Sequence, residues 1–167
     1  MNKAWDELLT VLQESVELYK GLLLLGEEKR QALIGAKAAE LDEVTRREEL
    51  MILEGSRLEE RRAKVTAAIA THHQLSGKPP TLAVIADAAE PDMARKLKSC
   101  KAKLDDSVQR LLRINETNGA LIRQALHFVN YNLNLLTQCQ AEITYGSSGG
   151  RTKMEGTSAS VVLDRRV

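Results

Sequence analysis

The sequence predicts an all-α protein, a long antiparallel helical hairpin or three-helix coiled-coil bundle with a disordered C-terminal tail. Three observations carry that prediction. There are 25 Leu in 167 residues but one Phe, one Trp and three Tyr, whereas β-sandwiches and barrels draw on aromatic and β-branched residues. The three prolines, Pro79, Pro80 and Pro91, all lie mid-chain, so long helices can run uninterrupted on either side. Apolar residues recur at three-, four- and seven-residue steps over most of the length. The length favours one folded domain, residues 1–145, followed by a flexible Gly/Ser-rich tail, 146–167.

The first helix is expected from about residue 3 to 34. Trp5, Leu8, Leu9, Leu12, Val16, Tyr19, Leu22 and Leu23 recur on one helical face, and Gly35 is placed to end it. A link as short as Gly35 to about Ala38 favours an antiparallel return. The second helix, about 38–75, carries Val44, Met51, Leu58 and Val65 at seven-residue spacing, with Leu41, Ile52 and Ile69 widening the stripe. Asp42 with Arg46, Glu43 with Arg47, and Glu60 with Lys64 are acid-before-base pairs four residues apart, suited to a solvated face. Ser76 to Pro80 is a break, and Thr81 caps a short helix through about Ala88.

Pro91 then opens the longest helix, about 91–143, because its missing N–H costs little in the first turn. Positions 97, 104, 111, 118, 125, 132 and 139, with the companion set 108, 115, 122, 129, 136 and 143, hold a heptad seam. A rod of that length, about 75–80 Å, suits a hairpin or bundle rather than a compact globule. After Tyr145 the chain turns to Gly and Ser, and only the last eight residues, from Ser160, carry features that could order on a partner.

Composition excludes several classes. The net charge is +1, against a dedicated nucleic-acid binder and against a polybasic membrane anchor. Residues 93–113 carry a net +5 and residues 38–62 a net −3, so if these two helices pack side by side their charges complement each other and favour the pairing, a reading preferred to nucleic-acid binding. No aromatic residue interleaves the basic run to stack on bases. Cys100 and Cys139 form no CxxC and read as small helix-face residues of a reduced compartment. The longest apolar run, Leu22 to Leu25, is too short to span a bilayer, and the N-terminus has no signal-peptide core. A cytoplasmic location follows as an expectation.

No catalytic constellation, cofactor motif or metal site is expected. His72 and His73 point about 100° apart on a helix and read as solvent-exposed, and His127 as partly packed. Asn115 and Asn118 fall in the apolar seam, where a buried amide fixes register or partner choice. The sharpest feature is 121–136. Leu121, Ile122, Ala125, Leu126, Phe128, Val129, Tyr131, Leu133, Leu135 and Leu136 cover more than one helix face, and the excess must meet a third helix, a second copy or another protein.

With those residues in view, the chain resembles the FlgN-type flagellar export chaperones over almost its whole length. The resemblance rests on the early Leu-rich helix, on Leu41-Asp42-Glu43-Val44-Thr45-Arg46-Arg47-Glu48-Glu49-Leu50, on Ile114-Asn115-Glu116-Thr117-Asn118-Gly119-Ala120-Leu121-Ile122, and on Ile143-Thr144-Tyr145-Gly146 before the tail. It implies a cytoplasmic type III export chaperone of flagellum assembly. Such a chaperone grips the C-terminal region of hook-associated, hook–filament junction, proteins and delivers them to a component of the flagellar export gate. Membrane association would be indirect only, and a homodimer stays open. The resemblance implies client binding by the C-terminal part of the chaperone, with which the apolar excess agrees, so client binding is expected at Leu121, Ile122, Ala125, Leu126, Phe128, Val129, Leu133 and Leu136; it also implies export-gate docking by Tyr145. The rival class is a structural coiled coil that self-associates through the same stripe and has no client.

Overall fold

A computed structural model describes residues 2–74 and 80–145, with side chains described as far as Thr137. The described residues form four helices and no strand: α1 (Asn2–Ile34), α2 (Ala38–His72), α3 (Leu82–Asp87) and α4 (Pro91–Tyr145). The break expected at Ser76 to Pro80 lies, apart from Pro80, outside them, as does the tail 146–167. The chain divides into two units, residues 1–126 and 127–167. The first boundary therefore falls inside α4.

In the first unit α1 is the central element. It supplies ten of the seventeen buried apolar residues among those described, from Trp5 and Leu8 to Leu25 and Ala32. They spread over an arc wider than one stripe, which lets α1 pack on α2 along one side and on α4 along the other. One cluster joins Trp5, Leu8 and Leu12 of α1 to Ile69 of α2, Ile85 and Ala86 of α3, and Leu97 and Cys100 of α4. A second joins Val11, Leu18 and Leu22 to Leu58, with Met51 and Leu111 packed against it. Helices α1 and α2 run antiparallel, as the ion pairs Lys29–Glu48 and Arg61–Glu14, 2.7 and 2.6 Å, require. Helix α4 runs parallel to α1, with Leu97 beside Trp5 and Leu8 at one level and Asn118 bonded to Gly26 at another.

The turn between α1 and α2 differs from expectation by one residue. Lys37 N–H donates to Ala32 O at 2.9 Å and Ala36 N–H to Leu33 O at 3.3 Å. That is the Schellman pattern, whose left-handed position falls on Ala36, φ 50°, and not on Gly35. Thr81 caps α3 as expected, accepting from Val84 N–H at 3.5 Å. Pro91 opens α4 as expected.

The ion pairs follow a different pattern from the apolar clusters. The helix-to-helix ion pairs seen on α2 join it to α1: Lys29–Glu48, Arg47–Glu28, and Arg61 bridging Glu7 and Glu14. The basic residues of α4 pair instead with near neighbours, Lys98 with Asp87 of α3, Lys101 with Asp105 and Arg110 with Asp106. Helices α2 and α4 nevertheless share both apolar clusters, Ile69 with Leu97 and Cys100 in one and Leu58 and Met51 with Leu111 in the other. Asp42–Arg46 and Glu60–Lys64 form as expected, but Arg47 leaves Glu43 for Glu28. Ile52 is also a correction, since it lies outside the buried stripe of α2 and is exposed.

Candidate functional site

The site is built on α4. Its packed face steps through Leu97, Cys100, Leu104, Ser107, Leu111, Ile114, Asn118 and Leu121, alternately three and four residues apart, each buried or half-buried. The seam set at 97, 104, 111 and 118 is thus as expected. The companion set is 100, 107, 114 and 121, one residue before the expected 108, 115 and 122. The reason is chemical: Cys100 and Ser107 are small and weakly apolar, so they give little signal, whereas Val108 and Ile122 flank the true stripe.

That shift separates the two asparagines. Asn118 is 3% exposed and donates its Nδ2–H to Gly26 O at 2.9 Å, while its Oδ1 is buried without a partner. Asn115 is exposed, a correction to its placement in the seam. The bond from Asn118 gives α4 an offset of 92 residues on α1. At that offset Ile34, the last residue of α1, stands level with Leu126.

Exposure changes over the turn before Leu126. Leu121 and Ile122 are half-buried, and Ala125 is exposed. Leu126 is 57% exposed. In the second unit Phe128, Val129, Leu133 and Leu136 are 66, 51, 53 and 63% exposed, and Tyr131 and Leu135 are exposed too. At 100° per residue, Ile122, Leu126, Val129, Leu133 and Leu136 fall on one stripe, and Phe128, Tyr131 and Leu135 on the opposite face. The second stripe is what the resemblance-based site set lacked in Tyr131 and Leu135. Its signal was the apolar excess itself. From residue 124 to 137 there is no Asp, Glu, Lys or Arg, and the polar positions are mostly amides such as Asn130, Asn132 and Asn134. Asn132 turns its Nδ2–H back to Phe128 O at 2.9 Å, so its amide is occupied within the helix. His127 is exposed, a correction to the partly packed reading.

A helix apolar on two faces and free of charge has the composition of an interface core. Covering one such side chain fully is worth about 1.5–3 kcal/mol. The arrangement suits binding by apolar packing, and it supplies no nucleophile with a base beside it. Tyr145 ends α4, and its side chain, like that of Cys139, lies outside the described residues. Cys100 is buried with a free thiol. His72 is exposed, but His73 is half-buried with its ring edge-on to Trp5 at 5.5 Å. Among the described residues no three His, Cys, Asp or Glu gather to hold a metal ion, and no helix is long and apolar enough to cross a membrane.

The family model described as "FlgN protein" matches residues 1–153. The chain is also 27% identical over 131 residues, 78% of its length and 79% of the relative's, to "Uncharacterized protein YvyG" of Bacillus subtilis (strain 168). No solved structure matches it.

Proposed function

The chain belongs to the FlgN family, and from that premise we propose that α4 from Leu121 to Leu136 is the surface on which it holds its export clients. The general role that comes with the family is that of a flagellar export chaperone, and chaperones of this family bind hook-associated proteins. The proposal adds the site and the sequence of events. The client is the C-terminal region of a hook-associated, hook–filament junction, protein. Its apolar helical segment packs on Leu121, Ile122, Ala125, Leu126, Phe128, Val129, Leu133 and Leu136 by helix-in-groove contact. Covering that segment prevents premature assembly, and the complex is then delivered to the flagellar export gate, with Tyr145 as the docking residue.

The carrying observation is the exposure of five large apolar side chains, Leu126, Phe128, Val129, Leu133 and Leu136, each more than half open on one helix. Isolated exposed leucines are ordinary, but a charge-free run of them signals a partner.

Titration calorimetry against the C-terminal segments of the hook-associated proteins of the same organism tests the reading. We expect saturable binding that Val129→Asp or Leu126→Asp abolishes while far-ultraviolet circular dichroism stays helical. No binding to any segment, with the free protein a tight self-oligomer by sedimentation, would replace the reading with a self-associating coiled coil. Tyr145→Ala should keep client affinity and lose delivery to the gate.

A further inference from the structure

We propose that Asn118, acting with Gly26, is a positioning residue that fixes the register of α4 on α1 and so decides how much of the apolar stretch is left open. The inference rests on the client-binding reading for its consequence, though not for its geometry. A heptad seam of leucines is tolerant of slippage. Leu97, Leu104 and Leu111 occupy successive equivalent positions, so sliding α4 by seven residues exchanges leucine for leucine over much of the contact. Asn118 is the next member of the same set, and it alone of these four carries an amide.

In the observed register its Nδ2–H reaches Gly26 O at 2.9 Å, from a side chain 3% exposed. Slid by one heptad, Asn118 would stand level with Tyr19 or Leu33, its amide buried and the Gly26 bond lost. Gly26 adds a steric lock at the same level. A Cβ there would lie 2.7 Å from Ile114 Cγ2, so Ile114 seats where only a glycine leaves room. A slip moves Ile114 away from the one residue that accommodates it. Two independent features, one polar and one steric, therefore select one register.

The register has a functional consequence. Ile34 ends α1 level with Leu126, and the exposure of α4 rises over the turn from Ile122 to Leu126. One heptad of slip would move that level to Gly119 or to Leu133. In the first case hydrophobic seam residues lose their cover. In the second, Leu126, Val129 and Leu133 become partly covered and are withdrawn from a client.

Amide hydrogen exchange on the full-length protein tests this. In the wild type, protection in α4 should fall away between about residue 122 and 127, because a helix segment without tertiary contacts opens readily. Asn118→Leu should remain folded with a melting temperature equal or higher, yet redistribute protection over 119–133. Its affinity for the hook-associated C-terminal segment should fall by about threefold if a third of molecules keep the open register. A merely structural asparagine would move the melting temperature and leave the edge of protection where it is. An unchanged protection pattern in Asn118→Leu overturns the proposal, whatever client binding does. Redistributed protection with client affinity unchanged, or with no client binding even in the wild type, upholds the register role and overturns the client-site reading. Should Asn118→Leu aggregate, Asn118→Ala gives the same readout.

Discussion

Helix α4 holds two stretches that share a helical apolar spacing, one charged and one free of charge, and they differ in what surrounds them. From Leu97 to Leu121 its packed residues keep to one stripe, with Leu112 exposed outside it, and Leu97 has no exposed surface at all. From Leu126 to Leu136 they cover two faces and each large one stands open. The first stretch shows how little apolar residue a helix needs when a neighbour runs beside it: small Cys100 and Ser107 suffice at two of its steps. The second carries more apolar surface than any single neighbour could use. Surplus is thus the mark of a site that serves a partner, and economy the mark of a site that serves the fold.

The largest effects should separate the two stretches by stability. Leu97→Ala removes a fully buried side chain between α1, α2 and α3 and should destabilise by about 2–5 kcal/mol. Leu133→Ala, at 53% exposure, should stay within about 0.5 kcal/mol of the wild type in chemical denaturation. If Leu133→Ala proved as costly as Leu97→Ala, the two stretches would be one core and the comparison would fail.

Gly26→Ala sharpens the comparison at its border. The added methyl meets Ile114 Cγ2 at 2.7 Å, and overpacking of this kind costs about 1–3 kcal/mol. Pairing it with Ile114→Ala, which removes the clashing Cγ2, should make the combined loss smaller than the sum of the single losses, and thermal melts of the three variants read this directly. Ala36→Gly should act in the other direction. The left-handed position of the α1–α2 turn, φ 50°, falls on an alanine, so glycine there should stabilise by about 1 kcal/mol.

These sites also mark how far the sequence could be read. The four helices followed from leucine spacing, from the proline positions and from Thr81, because each is a local signal. The exposed stretch followed from a surplus that no two-helix seam can absorb. What stayed hidden depends on neighbours. Cys100 and Ser107 gave no apolar signal, so the companion seam was set one residue late and Asn115 was drawn into it with Asn118. The partner of Asn118 is 92 residues away, at a glycine that follows the Leu22–Leu25 run and so looks like a weakness of the helix. The charge balance of α2 and α4 did not show that the ion pairs of α2 would go to α1.

The smallest effect concerns pH and lies in the first unit, on α2. The hydrogen bond from Arg62, at 2.5 and 2.7 Å to the two Glu59 oxygens, holds the Glu59 carboxyl below its ordinary value of 4.5, burial opposing it. A carboxyl lowered in the folded state binds fewer protons there than in the unfolded chain, so stability rises with pH through this window. The contribution is present above about 4.5 and is lost as pH falls through the lower folded value. Because Glu59 is largely exposed, solvent screening keeps the pair to a few tenths of a kcal/mol, about 0.2–0.5. Glu59→Gln should therefore flatten the acid limb of stability against pH only slightly. It should leave client affinity at neutral pH untouched, since Glu59 is on α2 and the open stretch is on α4. A variant that lost client affinity while keeping its melting temperature would put α2 into the binding surface and dissolve the division between the two stretches of α4.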